Sequence, residues 1–337
     1  MTGGVVCFGE VLLRFSAPGR EQLLQSPHLD VCVGGAEANV AVSLARLGTA
    51  AEMVSVLPPD ALGRSSRDEL RRHGVGVSGI EWLPGRMGLY FLTHGSMFRP
   101  SEVLYDRAGS AFETAPSDLF DWGPLLAGAG RLHLSGVTPA LGPESAAAAL
   151  RAAQAAQDSG VPISIDGNYR AKLWERWNGD SASILHNLFA YADIAFADER
   201  DISLILGKQF EGTREQQLAQ AAEAAFSAFP KLQRIACTRR IQHSVDHHDL
   251  TATMTDRRGT IGTRSYDLTA IIDRVGAGDA FVAGIIHSLL KGRTDQEALD
   301  FGLAAAALKH SILGDFNLIG EQDVQALLSE EGLHIRR

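Results

Sequence analysis

The chain has 337 residues, 45% hydrophobic and 21% charged, enough for one large α/β domain or two ordinary ones around a real core. Its 31 basic and 40 acidic side chains leave a net charge of −9, which argues against a general nucleic-acid binder but permits a local anion site. Cys7, Cys32 and Cys237 form no CxxC pair and suit reduced thiols in a cytoplasmic protein, and neither a signal peptide nor a membrane span is expected.

Val5 to Phe8 reads as a short buried strand, followed by candidate strands over Val11 to Phe15 and Leu29 to Val33. Gly34-Gly35-Ala36-Glu37-Ala38-Asn39 then opens a helix that stops at Gly48. Met53 to Leu57 is a predicted strand, and Gly63 to His73 a helix. Gly88 to Thr93 and Val103 to Tyr105 are β-prone with aromatic and polar content, which suits a half-exposed sheet. From Arg131 strands and helices alternate: strands over Leu132–Leu134, Pro162–Ile165, Ile194–Phe196 and Ile235–Thr238, helices over Glu144–Gln157, Ala182–Phe189 and Arg214–Phe229. Thr213/Gln216 and Thr294/Glu297 have capping-box spacing, the second before a helix running to about Ile312. Ser244 to Arg264 suggests a meander, and Glu321 to Leu328 a closing helix. The βα alternation implies a mainly parallel sheet with helices on both faces, and the segments near 10–34 and 87–107 a small separate sheet.

Near the C-terminal end an apolar run, Leu268 to Ile272, leads into Asp273-Arg274-Val275-Gly276-Ala277-Gly278-Asp279 and then into a helix. Glycines at a helix start let backbone amides approach an anion closely. Asp279 has two readings there: a first-turn acid complementing the helix dipole, or a base taking a proton from an attacking hydroxyl. Ligands of open α/β sheets bind at the carboxyl ends of strands, where Asp166, Asn168, Arg170, Asp198, Asp201 and Asp279 are expected to gather, or to serve as caps and turn residues. The pattern Gly-x-Gly-x-x-Phe lacks the third glycine of a dinucleotide fingerprint, and neither a Walker loop nor a GxSxG elbow is present. No metal-binding histidine or cysteine cluster is expected, and His247-His248 reads as a surface pair in a polar turn.

Together, Gly34 to Asn39, Gly88-Leu89-Tyr90-Phe91, Tyr105-Asp106-Arg107, Asp166 to Arg170, Asp273 to Asp279 and Gly314-Asp315-Phe316-Asn317 resemble the ribokinase-like (PfkB) carbohydrate kinases over nearly the whole chain. Within them the likeness is greatest to 2-keto-3-deoxygluconate kinases. The resemblance implies a three-layer α/β/α fold with a mainly parallel sheet and a small β-sheet lid. The large domain would comprise residues 1–9, 35–86 and 108–337, and the lid 10–34 and 87–107. It implies phosphoryl transfer from ATP to a sugar hydroxyl with magnesium, with Asp279 as general base and Gly276, Ala277 and Gly278 as the anion hole. Gly34, Gly35 and Asn39 match substrate-contacting positions.

For a sugar-acid carboxylate, Arg107 and Arg170 supply charge, and Tyr90 and Tyr105 add hydroxyls and flat faces. The bland alternatives are a solvated lid residue for Arg107 and a surface partner of Glu175 or Asp166 for Arg170. Asp198 and Asp201 replace the family's usual Asn-x-x-Glu and become the candidate magnesium partners through water. Cys237-Thr238-Arg239-Arg240 replaces its glycine-containing nucleotide turn, which makes Thr238 and Arg239, with Asn317, candidate nucleotide contacts. Asp273-Arg274 stands where many members have Asp-Thr, and the residues give Arg274 no role. A homodimer through the lid is expected. Kinases of fructose, ribose or the galactonate epimer, and a non-catalytic sugar-acid sensor, remain alternatives.

Overall fold

The computed structural model describes residues 3–329. Its first half runs β1 (Val5–Phe8), β2 (Leu12–Ser16), β3 (Asp30–Gly34), α1 (Ala36–Arg46), β4 (Ala51–Leu57), α2 (Ala61–Arg72), β5 (Ile80–Trp82), β6 (Gly88–Thr93) and β7 (Glu102–Asp106). There follow α3 (Trp122–Leu126), β8 (Arg131–Ser135), α4 (Pro143–Asp158), β9 (Ile163–Asp166), α5 (Ala171–Glu175), α6 (Ser181–Phe189), β10 (Ile194–Phe196), α7 (Glu199–Leu206) and α8 (Arg214–Ala228). The chain closes with β11 (Arg234–Ser244), β12 (His247–Asp256), β13 (Gly259–Gly262), β14 (Tyr266–Leu268), α9 (Ala277–Leu290), α10 (Asp295–Lys309) and α11 (Glu321–Leu328).

The large sheet has the order β13-β12-β11-β10-β9-β8-β1-β4-β5, with β14 also on β12. From β5 to β11 every pairing is parallel, and the β12, β13 and β14 pairings are antiparallel. Strand alternation divides the core between the two faces. Val6 and Phe8 of β1 pack with residues of α4, α6, α7 and α8, whereas Val5 and Cys7 pack with α1, α9 and α10. Three layers result. Among the described residues no helix is long and apolar enough to cross a membrane.

A separate four-stranded sheet, β3-β2-β6-β7, comes from the two β-rich excursions. Its register sets Cys32, Arg14, Tyr90 and Tyr105 in one row across the strands, and Val31, Phe15, Phe91 and Leu104 in the next, which points to the opposite face.

Several boundaries differ from expectation. β11 extends through Ser244 rather than stopping at Thr238, because its pairing with β12 forms a long hairpin in place of short meander pieces. The apolar run to Ile272 leaves the sheet at Leu268, and Ile272 is exposed. Asp279 therefore reaches the site from a loop and a helix, not directly from a strand end. His247 and His248 are not a surface pair: they begin β12, so one points outward and His248 is fully buried. Propensity gave no warning of β5, α3 or α7.

Candidate active site

The loop before α9 turns on Gly276, whose φ of 80° is left-handed. A Cβ there would collide with the Asp315 carbonyl oxygen, so both the conformation and the space require glycine. Asp273, two residues before Val275, fixes the loop by accepting the Val275 and Gly314 amides at 3.0 and 3.1 Å. The Ala277 amide is turned back onto the Arg274 carbonyl at 3.3 Å, which leaves Gly278 and Asp279 as the first-turn amides facing outward. Of the three residues expected to form the anion hole, Gly278 fits best.

Asp279 is half-buried beside α1, and its Oδ2 accepts a 2.7 Å hydrogen bond from Asn39 Nδ2. Burial pushes its carboxyl up to about 7, against the stabilising bond from Asn39 and with Asp315 adding to the rise. A carboxyl poised near neutrality is suited to general-base work. The Asn39 Oδ1 is buried with no partner among the described residues, which leaves it an acceptor for a ligand hydroxyl. Gly34 and Gly35 lie beside this pair, but neighbours within the chain already account for them. A Cβ at Gly34 would strike the Asp315 carboxylate, and one at Gly35 the Glu10 carbonyl. Glu37 of the same helix is buried and accepts from the Ser135 amide, Ser135 Oγ and Thr138 Oγ1, tying α1 to the end of β8.

Beyond the carboxyl ends of β9 and β10 lie Asp166 and Asp201. Burial raises both, Asp201 to about 6; Asp279 and Asp201 raise Asp166 further, as Asp198 does Asp201. Arg170 is exposed and close enough to Asp166, Asp201 and Asp279 to favour the charged form of each. Asp198 has a different task. It caps α7, accepting the Arg200 and Asp201 amides while its own amide donates to Asp201 Oδ2, and its other oxygen holds Arg200 Nε at 2.9 Å. The expected metal pair is therefore a capping box, and Asp198 has little capacity left for an ion.

Two adjoining cavities open along this edge. One of about 200 Å³ is lined by Asp166, Asp198, Asp201, Thr238 and Gly278 among others. The next, of about 360 Å³, brings Arg200, Arg214, Arg240, Arg274 and His310 around Thr238, Ala277 and Gly278. A larger cavity, about 600 Å³, lies at the amino ends of β9 and β11 and contains none of these groups. Arg200 and Arg214 have carboxylate partners, but the side chains of Arg240 and Arg274 have no ion pair or hydrogen bond among the described residues. Burial and then the charges of Arg274 and Arg200 press Arg240 below the usual arginine range. Such an uncompensated cationic pocket, next to a helix start, is built for a polyanion.

Two expected nucleotide contacts are corrected here. Arg239 points away and pairs with Glu215 at 2.8 Å, because alternation along β11 puts Thr238 and Arg240, not Arg239, on the cavity side. Asn317 is buried elsewhere: its Nδ2 donates to Ser43 Oγ at 2.9 Å and its Oδ1 accepts the Ile319 amide. The two missed residues, Arg240 and Arg274, carried one usable signal, the period of two counted from Thr238.

On the small sheet, Tyr90 is buried and donates its hydroxyl to Asp315 Oδ2 at 2.8 Å. Asp315 and Asp273 in turn clasp the fully buried Arg14 of β2, at 2.9 and 2.8 Å. Tyr90 is thus part of an internal charge network. Tyr105, its neighbour across the strands, packs against both the large core and the small sheet. Arg107 is buried and gives its Nε to Glu10 at 2.6 Å, with Ser110 Oγ also donating to Glu10. No described residue accepts from Arg107 Nη1 or Nη2, so its outer edge still has two donors to offer.

The sequence model of the pfkB family carbohydrate kinases matches residues 3–315. The chain belongs to this family. It is therefore a sugar kinase, a phosphotransferase with an alcohol group as acceptor. It is 33% identical to a 2-dehydro-3-deoxygalactonokinase of Haloferax volcanii, with 97% of each chain covered. It is 30% identical to a 2-dehydro-3-deoxygluconokinase of Bacillus subtilis, over 93% of this chain and 91% of that one. The crystal structure of a 2-dehydro-3-deoxygluconokinase from Thermotoga maritima superposes with a TM-score of 0.91 at 37% identity, covering 97% of this chain and 99% of the other. The three-layer architecture with a small separate sheet is that of the family.

Proposed function

We propose that this kinase phosphorylates 2-keto-3-deoxy-D-gluconate on its terminal hydroxyl with ATP as donor, giving 2-keto-3-deoxy-6-phosphogluconate. The reading is carried by Asp279, a carboxyl held near neutrality by burial, oriented by Asn39, and next in the chain to Gly278, which lines the arginine-rich cavity. Asp279 takes the proton of the attacking hydroxyl, and Asn39 keeps its carboxylate aimed. The Gly278 and Asp279 amides face the developing charge on the transferring group, and Arg240 and Arg274 hold the polyphosphate tail. Asp166 and Asp201 would hold a magnesium ion: burial raises both carboxyls, Asp201 raises Asp166 further, and both stay raised despite the nearby Arg170. Held there, the ion would supply positive charge to offset that of the donor phosphates.

For the acceptor, Arg170 and the outer edge of Arg107 supply carboxylate-binding donors, Tyr105 a flat face, and Gly34 and Gly35 a close backbone approach. The small sheet, residues 10–34 and 87–107, acts as a lid that excludes water from the large domain formed by 1–9, 35–86 and 108–337. Its outer row, with Val31 and Leu104 largely exposed, supports a homodimer through the lids in the cytoplasm. The 33% identity to a galactonokinase supports the epimeric keto acid as a second reading, since one hydroxyl configuration separates the two substrates. An ATP-coupled assay across both 2-keto-3-deoxy acids, fructose and ribose decides among them. The gluconate-derived acid is expected to turn over fastest. Faster turnover of fructose than of either acid defeats the arginine assignment, and no turnover of any sugar favours a sensor.

A further inference from the structure

The hairpin β11–β12 carries a constellation that phosphoryl transfer does not use. Pairing of β11 with β12, and of β12 with β14, sets four ligand-type side chains close together: His243, His247, Asp249 and Asp267. His247 and Asp249 are two apart on β12 and so share a face, Asp267 lies directly opposite Asp249 on β14, and His243 sits at the bulge in β11 across from His247. One ligand atom from each of His243, His247 and Asp249 lies within 4.8 Å of the other two. The imidazoles are 4.6 Å apart between ring centres; His243 Nε2 bonds Asp249 Oδ2 at 2.7 Å, and His247 Nε2 bonds Asp267 Oδ1 at 2.8 Å.

We propose that His243, His247 and Asp249 form a zinc-class transition-metal site, with Asp267 orienting His247 from behind. The donor set decides the class. Two imidazoles and a carboxylate suit Zn²⁺, Cu²⁺ or Ni²⁺, whereas Mg²⁺ seeks oxygen and retains its waters. A tetrahedral zinc ion with bonds of about 2.0–2.1 Å needs its ligand atoms roughly 3.3 Å apart, within reach of small side-chain rotations from the present spacing. His247 offers Nδ1 while its Nε2–H remains on Asp267, the carboxylate–histidine–metal arrangement that fixes tautomer and ring. The histidines are partly open to solvent, which gives the ion an entry path and leaves a fourth position for water. His243 and His247 are four residues apart, a spacing that on a helix would align them; here the hairpin turn brings them together instead. The proposed site departs from the expectation of no histidine metal cluster.

The site also has a structural address. Between its two histidines, the Val245 amide donates to the Met97 carbonyl at the tip of the small sheet, and Asp246 pairs with Arg20 at 3.5 Å. An ion bound here fastens the strand pair that holds that tip.

The test is isothermal titration calorimetry of the full chain with Zn²⁺, without nucleotide and with excess Mg²⁺. One zinc per chain is expected, unaffected by Mg²⁺. His243→Ala and His247→Ala should each weaken binding tenfold or more, and Asp267→Asn by about 10–100-fold, as for other carboxylates that orient a metal-binding imidazole. The proposal fails if the double variant His243→Ala/His247→Ala binds zinc as wild type does, or if Mg²⁺ displaces the ion. Circular dichroism of each variant guards against loss of fold, and failure here leaves the kinase reading untouched.

Discussion

The two charged regions of the molecule are built on opposite rules. Beneath the small sheet, Arg14 is fully buried between Asp273 and Asp315, and Arg107 lies against Glu10, so each buried guanidinium meets a carboxylate of the same chain. Along the carboxyl edge of the large sheet, the side chains of Arg240 and Arg274 face a cavity without a partner, while Asp201 and Asp279 both crowd Asp166. Paired charges hold the loop in place; unpaired ones await a ligand. Burial of a charge costs several kcal/mol unless it is matched, so a cluster left unmatched indicates that its counter-charges arrive with the substrates.

The largest expected effect is on Asp279. Asp279→Asn should lower kcat about 10²–10⁴-fold, the usual share of a general base, while calorimetric binding of the sugar acid stays within a few-fold. The wild-type kcat/KM should fall as the pH drops through about 7, where the carboxyl takes up its proton. Stability has the opposite slope. The folded carboxyl keeps its proton above the unfolded value of about 3.9, so its stabilising contribution is full below that value and is lost as pH rises through about 7. Asp279→Asn should therefore gain thermal stability over wild type as the pH is raised. A turnover within tenfold of wild type, or a flat pH profile, would remove the distinction between the two regions at its centre.

Arg14 tests the paired side. Arg14→Met strands two buried carboxylates and should cost about 3–5 kcal/mol in urea unfolding, the penalty of breaking a buried pair. A variant as stable as wild type would mean that the pairing contributes little to holding the loop. Smaller effects should separate the arginines on β11. Arg240→Met and Arg274→Met should each raise the KM for ATP about tenfold, since a hydrogen bond to a charged group contributes about 1.5–3 kcal/mol. Arg239→Met, which loses only an exposed pair with Glu215, should change it less than twofold. Equal effects at positions 239 and 240 would contradict the assignment by strand alternation.

Much of this site was legible in the chain itself. The glycines at 276 and 278 suggested a backbone-lined anion site at a helix start, with Asp279 either a first-turn acid or a base, and the glycine pair at 34 and 35 marked a second helix entry. The capping boxes at Thr213 and Thr294 were found from their spacing and are present. Asp198 and Asp201 have the same i, i+3 spacing, yet their standing in place of the family's Asn-x-x-Glu suggested an ion; the structure shows a third capping box there. The difference between a cap and a ligand is whether a helix begins at that residue, which their composition alone did not reveal.

The sequence by itself determined the class of fold, the order of most of the elements and the residues of the loop around Asp279. These depend on local chemistry: hydrophobic period, helix caps, and the φ and space that only glycine permits. Tertiary structure alone decided which charges are satisfied. Arg14 finds its partners more than 250 residues away, Asn39 meets Asp279 across 240, and Arg107 turns its Nε to Glu10 across 97. Arg240 faces the cavity and Arg239 does not because β11 pairs with β12 in one register. Which carboxylate neutralises which arginine is a matter of distances between segments remote in the chain, and spacing along it has no means of fixing them.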